Sequence, residues 1–188
     1  MSKRRWLVGF FVVAALLGIS AMFVRNRASA QTEKQDRYTL KIPDGLSFSE
    51  FKGYDTWQDV APSATEGSVK SILANPTMIN AYKQGVPGNG KSFPEGSKIV
   101  KIEWVKKKNP VSPYFVEVPD TLKSLSFIVK DSKRFPKTNG WAYAKWDYDA
   151  AAGTFKPDPL SAKGHECGYT CHTAVKTSDY IFTTYPVR

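Results

Sequence analysis

The stretch SKIVKIEWV, residues 97–105, decides the fold, because its residues follow the two-residue period of a β-strand. Successive side chains of a strand point to opposite faces of the sheet. One predicted face carries Val100, Ile102 and Trp104, and the other carries Ile99, Lys101, Glu103 and Val105. The first face is wholly apolar, whereas a lysine and a glutamate interrupt the second.

Two more stretches with the same period follow, LKSLSFIVKD at 122–131 and GWAYAKWDYD at 140–149, and a shorter strand is predicted at 68–73. The segments between these strands are too short for the helical crossover that parallel strands need. Asn75 and Pro76 predict the cap and first turn of a helix that ends at Lys83, and a short helix is predicted at 47–55. The predicted fold class is therefore α+β, an antiparallel sheet flanked by helices.

The N-terminus has the pattern of a secretory signal. Lys3, Arg4 and Arg5 precede an apolar run at 6–24, and Ala28-Ser29-Ala30 is a small-x-small cleavage site. The sequence predicts a signal peptide at 1–30, cut after Ala30, and the alternative is an uncleaved membrane anchor at 6–24. Either alternative predicts a periplasmic or otherwise exported protein.

The rest of the chain is long enough for one domain with a sizeable core. We assign 31–67 to an N-terminal segment that packs on the domain and 68–188 to the domain itself. Removal of the signal takes away five basic residues, which leaves 22 Lys and Arg against 17 Asp and Glu and lowers the net charge from +10 to +5. The sequence contains no basic run with interleaved aromatic residues, so it does not predict a nucleic-acid partner.

The stretch ECGYTCHT, residues 166–173, contains both cysteines of the chain and a histidine directly after the second. A Cys-x-x-Cys-His motif attaches a c-type haem, but here three residues separate Cys167 from Cys171. A disulfide is the first alternative, since exported cysteines commonly oxidise. A metal site formed by the two thiolates, His172 and His165 is the second. In the haem interpretation the thiols bind the two vinyl groups and His172 binds the iron.

The sixth position of such an iron has no convincing ligand in the sequence. An electron-transfer cytochrome c uses methionine or a second histidine there. After export the chain retains Met78, far upstream of the motif, and His165, tethered beside the proximal histidine. The sequence therefore predicts an iron with an open distal side, which suits ligand binding or chemistry better than simple electron transfer.

Four stretches occur in a specific order along the chain from about Lys70 to the C-terminus. They are ANPTMINAYKQG at 74–85, FPEGSKIVKIEW at 93–104, FIVKDSKRF at 127–135 with GWAYAKW at 140–146, and CHTAVKTSDYIFTTYP at 171–186. Together they resemble the cytochrome P-460 and cytochrome c-prime-beta family. The resemblance implies a haem c attached near the C-terminus through Cys167 and Cys171, with His172 on the iron, usually in a homodimer.

The resemblance also assigns a role to Lys101. It stands six residues after Glu95, in the Glu95-Gly96 turn, and a lysine at this place in cytochromes P-460 is bonded to a haem meso carbon. The cytochrome c-prime-beta branch lacks this lysine and has a hydrophobic distal pocket. Ser126 stands where the hydroxylamine-oxidising members carry a carboxylate. Glu103, on the same strand face as Lys101, is the expected substitute for that acid.

Three classes of function follow, in order of preference. The first is a haem-dependent oxidoreductase that oxidises hydroxylamine, with or without nitric oxide, and passes electrons to an acceptor cytochrome. The second is a non-catalytic protein that binds nitric oxide, and the third is a simple electron carrier. A mildly basic surface would help an acidic acceptor to dock, and Lys70 and residues 106–108 are candidates for it.

Overall fold

One antiparallel sheet of six strands organises residues 35–188, the part of the chain that this computed structural model describes. The strands lie side by side in chain order. They are β1 Gln58–Thr65, β2 Ser68–Ala74, β3 Lys98–Lys108, β4 Glu117–Lys130, β5 Trp141–Asp149 and β6 Thr154–Pro157. The prediction of an α+β chain with an antiparallel sheet is confirmed.

The two edge strands were not predicted. β1 contains Pro62 and buries one of its residues, Val60, so its sequence has no clear alternation. β6 has only four residues. Proline and short length are common features of edge strands, because an edge residue has no second neighbour to bond.

The helices are short. Helix α1, Pro76–Lys83, has the predicted N-cap, since the Asn75 side chain accepts a hydrogen bond from the Met78 N–H at 3.2 Å. The helix predicted at 47–55 is instead two 3-10 helices, Phe48–Phe51 and Tyr54–Thr56. Gly53, with φ of 82°, lies between them and breaks the helical path. Helix α2 is a single turn, Tyr169–His172.

The larger core lies on the face of the sheet that carries Val100. Phe127 and Trp146 share this face, and the 3-10 helix Phe48–Phe51 covers it with Phe48 and Phe51. The Phe51 ring stacks on Phe127 at 4.2 Å between centroids, and Phe48 meets Phe127 edge-on at 4.9 Å. Val100 and Phe127 are both fully buried on this side of the sheet.

The opposite face is only partly covered. Ile99 and Trp141 are buried there against Met78 and Tyr82 of α1 and against Ile181 of the C-terminal segment. The neighbouring strand positions on this face, towards the middle of the sheet, are left to line a cavity. The alternation of β3 therefore separates a closed core from a face that can hold a ligand.

The C-terminal segment is tied to the sheet by the side chain of Asp179. Its carboxylate accepts hydrogen bonds from Lys130 Nζ at 2.9 Å, from the Phe93 N–H at 2.8 Å and from Trp141 Nε1 at 3.2 Å. The side chains of Lys130 and Asp179 are 7% and 9% exposed, so this ion pair is buried. Asp179 and Tyr180 both have positive φ, 48° and 63°, which turns the chain back over the sheet.

The predicted signal peptide and its alternative, the anchor at 6–24, lie outside the described residues. Within residues 35–188, no helix is both long and apolar enough to cross a membrane.

Replacing Asp179 by asparagine tests how far the segment depends on this ion pair. We expect Asp179→Asn to lower the free energy of unfolding by about 3 kcal/mol, because it leaves the Lys130 ammonium buried without a counter-charge. Asp120→Asn, which removes the partner of an exposed pair with Lys107, is the matched control and should be neutral. Urea unfolding measures both variants, and an equal effect of the two would contradict this interpretation.

Candidate cofactor site

A cavity of about 450 Å³ lies between the partly covered face of the sheet and the C-terminal segment. This volume is within the range of small-molecule and cofactor pockets. The sheet contributes Ile72, Ile99, Lys101, Ser126, Ile128, Tyr143 and Lys145, and the C-terminal part contributes Cys167, Cys171, His172, Ile181 and Phe182. The structure thus brings Lys101 and the cysteine motif, far apart in sequence, to one site.

His172 has a fixed tautomer. Its Nδ1 lies 2.6 Å from the backbone oxygen of Tyr180, and because a carbonyl oxygen can only accept, Nδ1 carries the hydrogen. The lone pair is then on Nε2, the arrangement in which a histidine binds a metal. The rings of Tyr143 and Phe182 flank the imidazole at 4.6 and 4.8 Å. Burial lowers the pKa of His172, which also favours the neutral, ligating form.

The longer spacing of the cysteines is accommodated by a helical turn. The His172 N–H donates to the Gly168 oxygen at 3.0 Å, an i to i−4 bond of an α-helix. Cys171 lies in this turn and Cys167 lies just before its N-cap, Gly168, so both thiols can reach the cavity. Both do line it, and both are free thiols.

Two of the three residues between the cysteines, Gly168 and Tyr169, are held by contacts with neighbouring side chains, and Gly168 also lines the cavity. Gly168 lies so close to Tyr143 that a Cβ atom would be 2.7 Å from the ring, so a side chain has no room here. Tyr169 stacks on Tyr180 at 5.4 Å, and Asn139 Nδ2 donates to both tyrosine hydroxyls.

Two thiols and a neutral imidazole on the wall of one largely apolar cavity fit a haem c. The same sulfurs are not paired in a disulfide. Among residues 35–188 no cluster of three or more histidine, cysteine or acidic side chains could hold a bare metal ion.

Lys101 occupies the wall formed by the sheet. In the strand register it lies between Ile72 of β2 and Ser126 of β4, and Ser126 lies beside Lys145 of β5. Burial is the largest influence on Lys101 and lowers the pKa of its ammonium. Glu103 opposes this shift, whereas nearby lysines add to it. The residue is thus more easily neutral than a surface lysine.

Glu103 lies next to the cavity and is not part of its lining. Its carboxylate pairs with Lys123 Nζ at 3.1 Å, and its side chain is 11% exposed. Burial acts to raise the pKa of Glu103, but hydrogen bonds with Lys123 and Ser68 outweigh it and hold the pKa below its ordinary value. Within the described lining the acidic side chain is Asp158, which sequence reasoning missed because nothing in its spacing relates it to the cysteines.

Neither candidate for the sixth iron position lines the cavity. Met78 is fully buried in the core beneath α1. The ring of His165 packs on Phe135 at 4.6 Å. The described lining therefore offers no methionine and no second histidine, as the sequence interpretation of an open iron requires.

Comparison with protein families gives a match to the cytochrome P460 family over residues 51–183. This region begins at the end of the 3-10 helix Phe48–Phe51 and contains all six strands, the cavity and both cysteines. It also includes part of the segment 31–67. A comparison with curated proteins finds no match.

Proposed function

Because the chain belongs to the cytochrome P460 family of haem c proteins, we propose that it is an exported mono-haem oxidoreductase that acts on hydroxylamine. The observation that carries the proposal is the position of Lys101 on the wall of the cavity that Cys167, Cys171 and His172 also line. A gas-binding protein needs only the cysteine motif. A lysine in the same cavity gives the cytochromes P-460 their reactive haem.

In this proposal the chain holds the haem at three points. The sulfurs of Cys167 and Cys171 form thioethers with its vinyl groups, and His172 Nε2 binds the iron. The bound haem supplies an iron that binds small nitrogen compounds and exchanges electrons with them. The hydrogen bond to Tyr180 fixes the orientation of the imidazole and increases its basicity as a ligand.

We propose that Lys101 Nζ bonds to the edge of the haem. A buried ammonium is costly, and its conversion to a bonded amine removes that cost. The bond replaces one amine hydrogen and one meso hydrogen of the porphyrin, so its formation is a two-electron oxidation that a peroxide can supply. A haem bonded in this way would be held at one edge by β3, and such a bond would alter the reactivity of its iron.

Oxidation of hydroxylamine releases protons, so the site needs an acceptor. Glu103 is proposed for this role because it is a charged carboxylate on the strand face of Lys101. Asp158 is the competing candidate, since it lines the cavity and its side chain is 14% exposed.

Electrons leave to an acceptor cytochrome, and we propose that basic surface residues help it to dock. Two of the lysines expected to do so are already paired, Lys106 with Glu117 and Lys107 with Asp120, each at 2.7 Å. The mild positive surface is therefore better represented by Lys70, which borders the cavity, than by the lysine run. The protein is also proposed to act as a homodimer, as its family suggests.

A second function is favoured by the lining itself. Ser126 lies beside Lys101 where a catalytic carboxylate is expected, and Ile72, Ile99 and Ile128 make the surrounding wall apolar. An apolar distal wall suits a protein that binds nitric oxide without turning over a substrate. The electron carrier is the weakest alternative, because the described lining has no second axial ligand.

Replacing Lys101 by leucine tests the main proposal. We expect Lys101→Leu to keep the haem through the cysteines, to move the reduced Soret band to that of an ordinary c haem, and to abolish hydroxylamine oxidation. Nitric oxide binding should remain, because the open iron is unchanged. Lys106→Leu, on the same strand outside the cavity, is the control and should behave as wild type. An ordinary Soret band and no turnover in the wild type would favour the gas-binding function instead.

The proton acceptor can be identified with a pair of isosteric variants. If Glu103 accepts the proton, Glu103→Gln should lower kcat by about 100-fold, the size of a general-base contribution. Asp158→Asn should have a much smaller effect on kcat. Steady-state oxidation of hydroxylamine with an excess of oxidant measures both. The opposite ranking would transfer the role to Asp158.

A further inference from the structure

The two cysteines have unlike surroundings. Cys167 is half-buried, and its Sγ lies 3.2 Å from Ser161 Oγ and 3.5 Å from the backbone oxygen of Tyr143. Cys171 is exposed, and within the described residues no hydrogen bond reaches its thiol. The structure therefore holds one thiol in place and leaves the other free.

The direction of the hydrogen bonds around Cys167 follows from the acceptors. The Tyr143 carbonyl can only accept, so the thiol hydrogen of Cys167 points to it. Ser161 Oγ accepts from the Lys145 N–H at 2.7 Å, which leaves its own hydrogen to donate to the Cys167 sulfur. Each hydrogen takes part in one hydrogen bond, and the two hydrogen bonds together fix the position of the Cys167 sulfur.

Ser161 is itself rigidly held. It is fully buried, and its N–H donates to Asp158 Oδ1 at 2.8 Å. The Asp158 N–H in turn donates to the Lys145 oxygen at 3.0 Å. Since β6 pairs with β5 only from Trp146 onwards, residues 158–161 continue the sheet edge where the strand has ended. A fixed piece of sheet edge thus carries the serine that contacts Cys167.

We propose that Ser161 is a positioning residue for haem attachment, which holds the Cys167 thiol at the cavity wall so that both sulfurs bond despite three intervening residues. This inference rests on the proposed function only in requiring a haem. Each thioether forms when S–H adds across a vinyl C=C bond. The sulfur bonds the inner carbon and the hydrogen goes to the outer carbon, which becomes a methyl group, with no net oxidation.

The roles of the two cysteines then differ. Cys167 is held at the cavity wall before the haem binds. Cys171, which is free on the helical turn, then forms the second thioether. Burial raises the pKa of the Cys167 thiol against the opposing hydrogen bond from Ser161, so the group keeps the hydrogen that it donates to the Tyr143 oxygen.

The test uses the full chain matured in a host that assembles c-type cytochromes. Free thiols are alkylated with iodoacetamide after unfolding, and mass spectrometry of the peptides shows which cysteine carries haem. Wild type should carry haem on both cysteines. In Ser161→Ala at least a third of the molecules should carry haem on Cys171 alone, with Cys167 alkylated. Ser124→Ala removes another fully buried serine hydroxyl, one without a hydrogen-bond partner in the described structure, and should match wild type.

A second comparison needs no change at Ser161. Cys171→Ala should retain covalent haem through the held Cys167 in most molecules, and Cys167→Ala should retain it through the free Cys171 in a smaller fraction of molecules. Two thioethers in Ser161→Ala, or equal retention of haem by the two cysteine variants, would overturn the inference while leaving the proposed function intact. A wild type without any haem would overturn the proposed function itself.

Discussion

The buried ion pair between Lys130 and Asp179 is the contact on which the site depends. It joins the end of β4 to the turn that follows the cysteine motif. The next residue, Tyr180, gives its carbonyl oxygen to His172 Nδ1, so the turn that anchors the segment also orients the imidazole. A buried pair contributes little net stability by itself. Its value here is geometric, because it allows one arrangement of the segment over the sheet.

The sheet supports this arrangement by using its two faces differently. The face of Val100 and Phe127 is closed by aromatic packing from the 3-10 helix Phe48–Phe51. The other face is covered at one end by α1 and the C-terminal segment, and the gap beside them is the cavity. A rigid, fully packed core behind Lys101 keeps the wall of the cavity from collapsing inward.

Much of this could be predicted from the sequence. The alternation in β3, β4 and β5 predicted both the sheet and the face on which each side chain lies. In a strand with a period of two, identifying the apolar face assigns every other residue to the opposite face. The family resemblance related Ser126 to the site of Lys101, and the strand register pairs the two residues. The cysteine motif and the family resemblance then supplied His172, and the structure shows these residues around one cavity.

The remainder depends on contacts that have no local signal. The edge strands β1 and β6 form because they pair with β2 and β5, and their own sequences show no clear alternation of apolar and polar residues. Ser161 and Asp158 reach the site because β6 ends early and the chain turns back along β5, which no spacing in the sequence reveals. Glu103 was placed on the correct strand face, but its ion pair with Lys123 depends on the register of β4, which is irregular just after this position.

The central claim is that the chain carries one haem, bonded covalently between the C-terminal segment and the sheet. The intact mass of protein matured in a host that assembles c-type cytochromes, measured under denaturing conditions, tests this claim most directly. The account predicts the mass of the polypeptide plus one haem. A mass two hydrogens below that of the reduced polypeptide, with no haem, would show a disulfide between Cys167 and Cys171 and would contradict it.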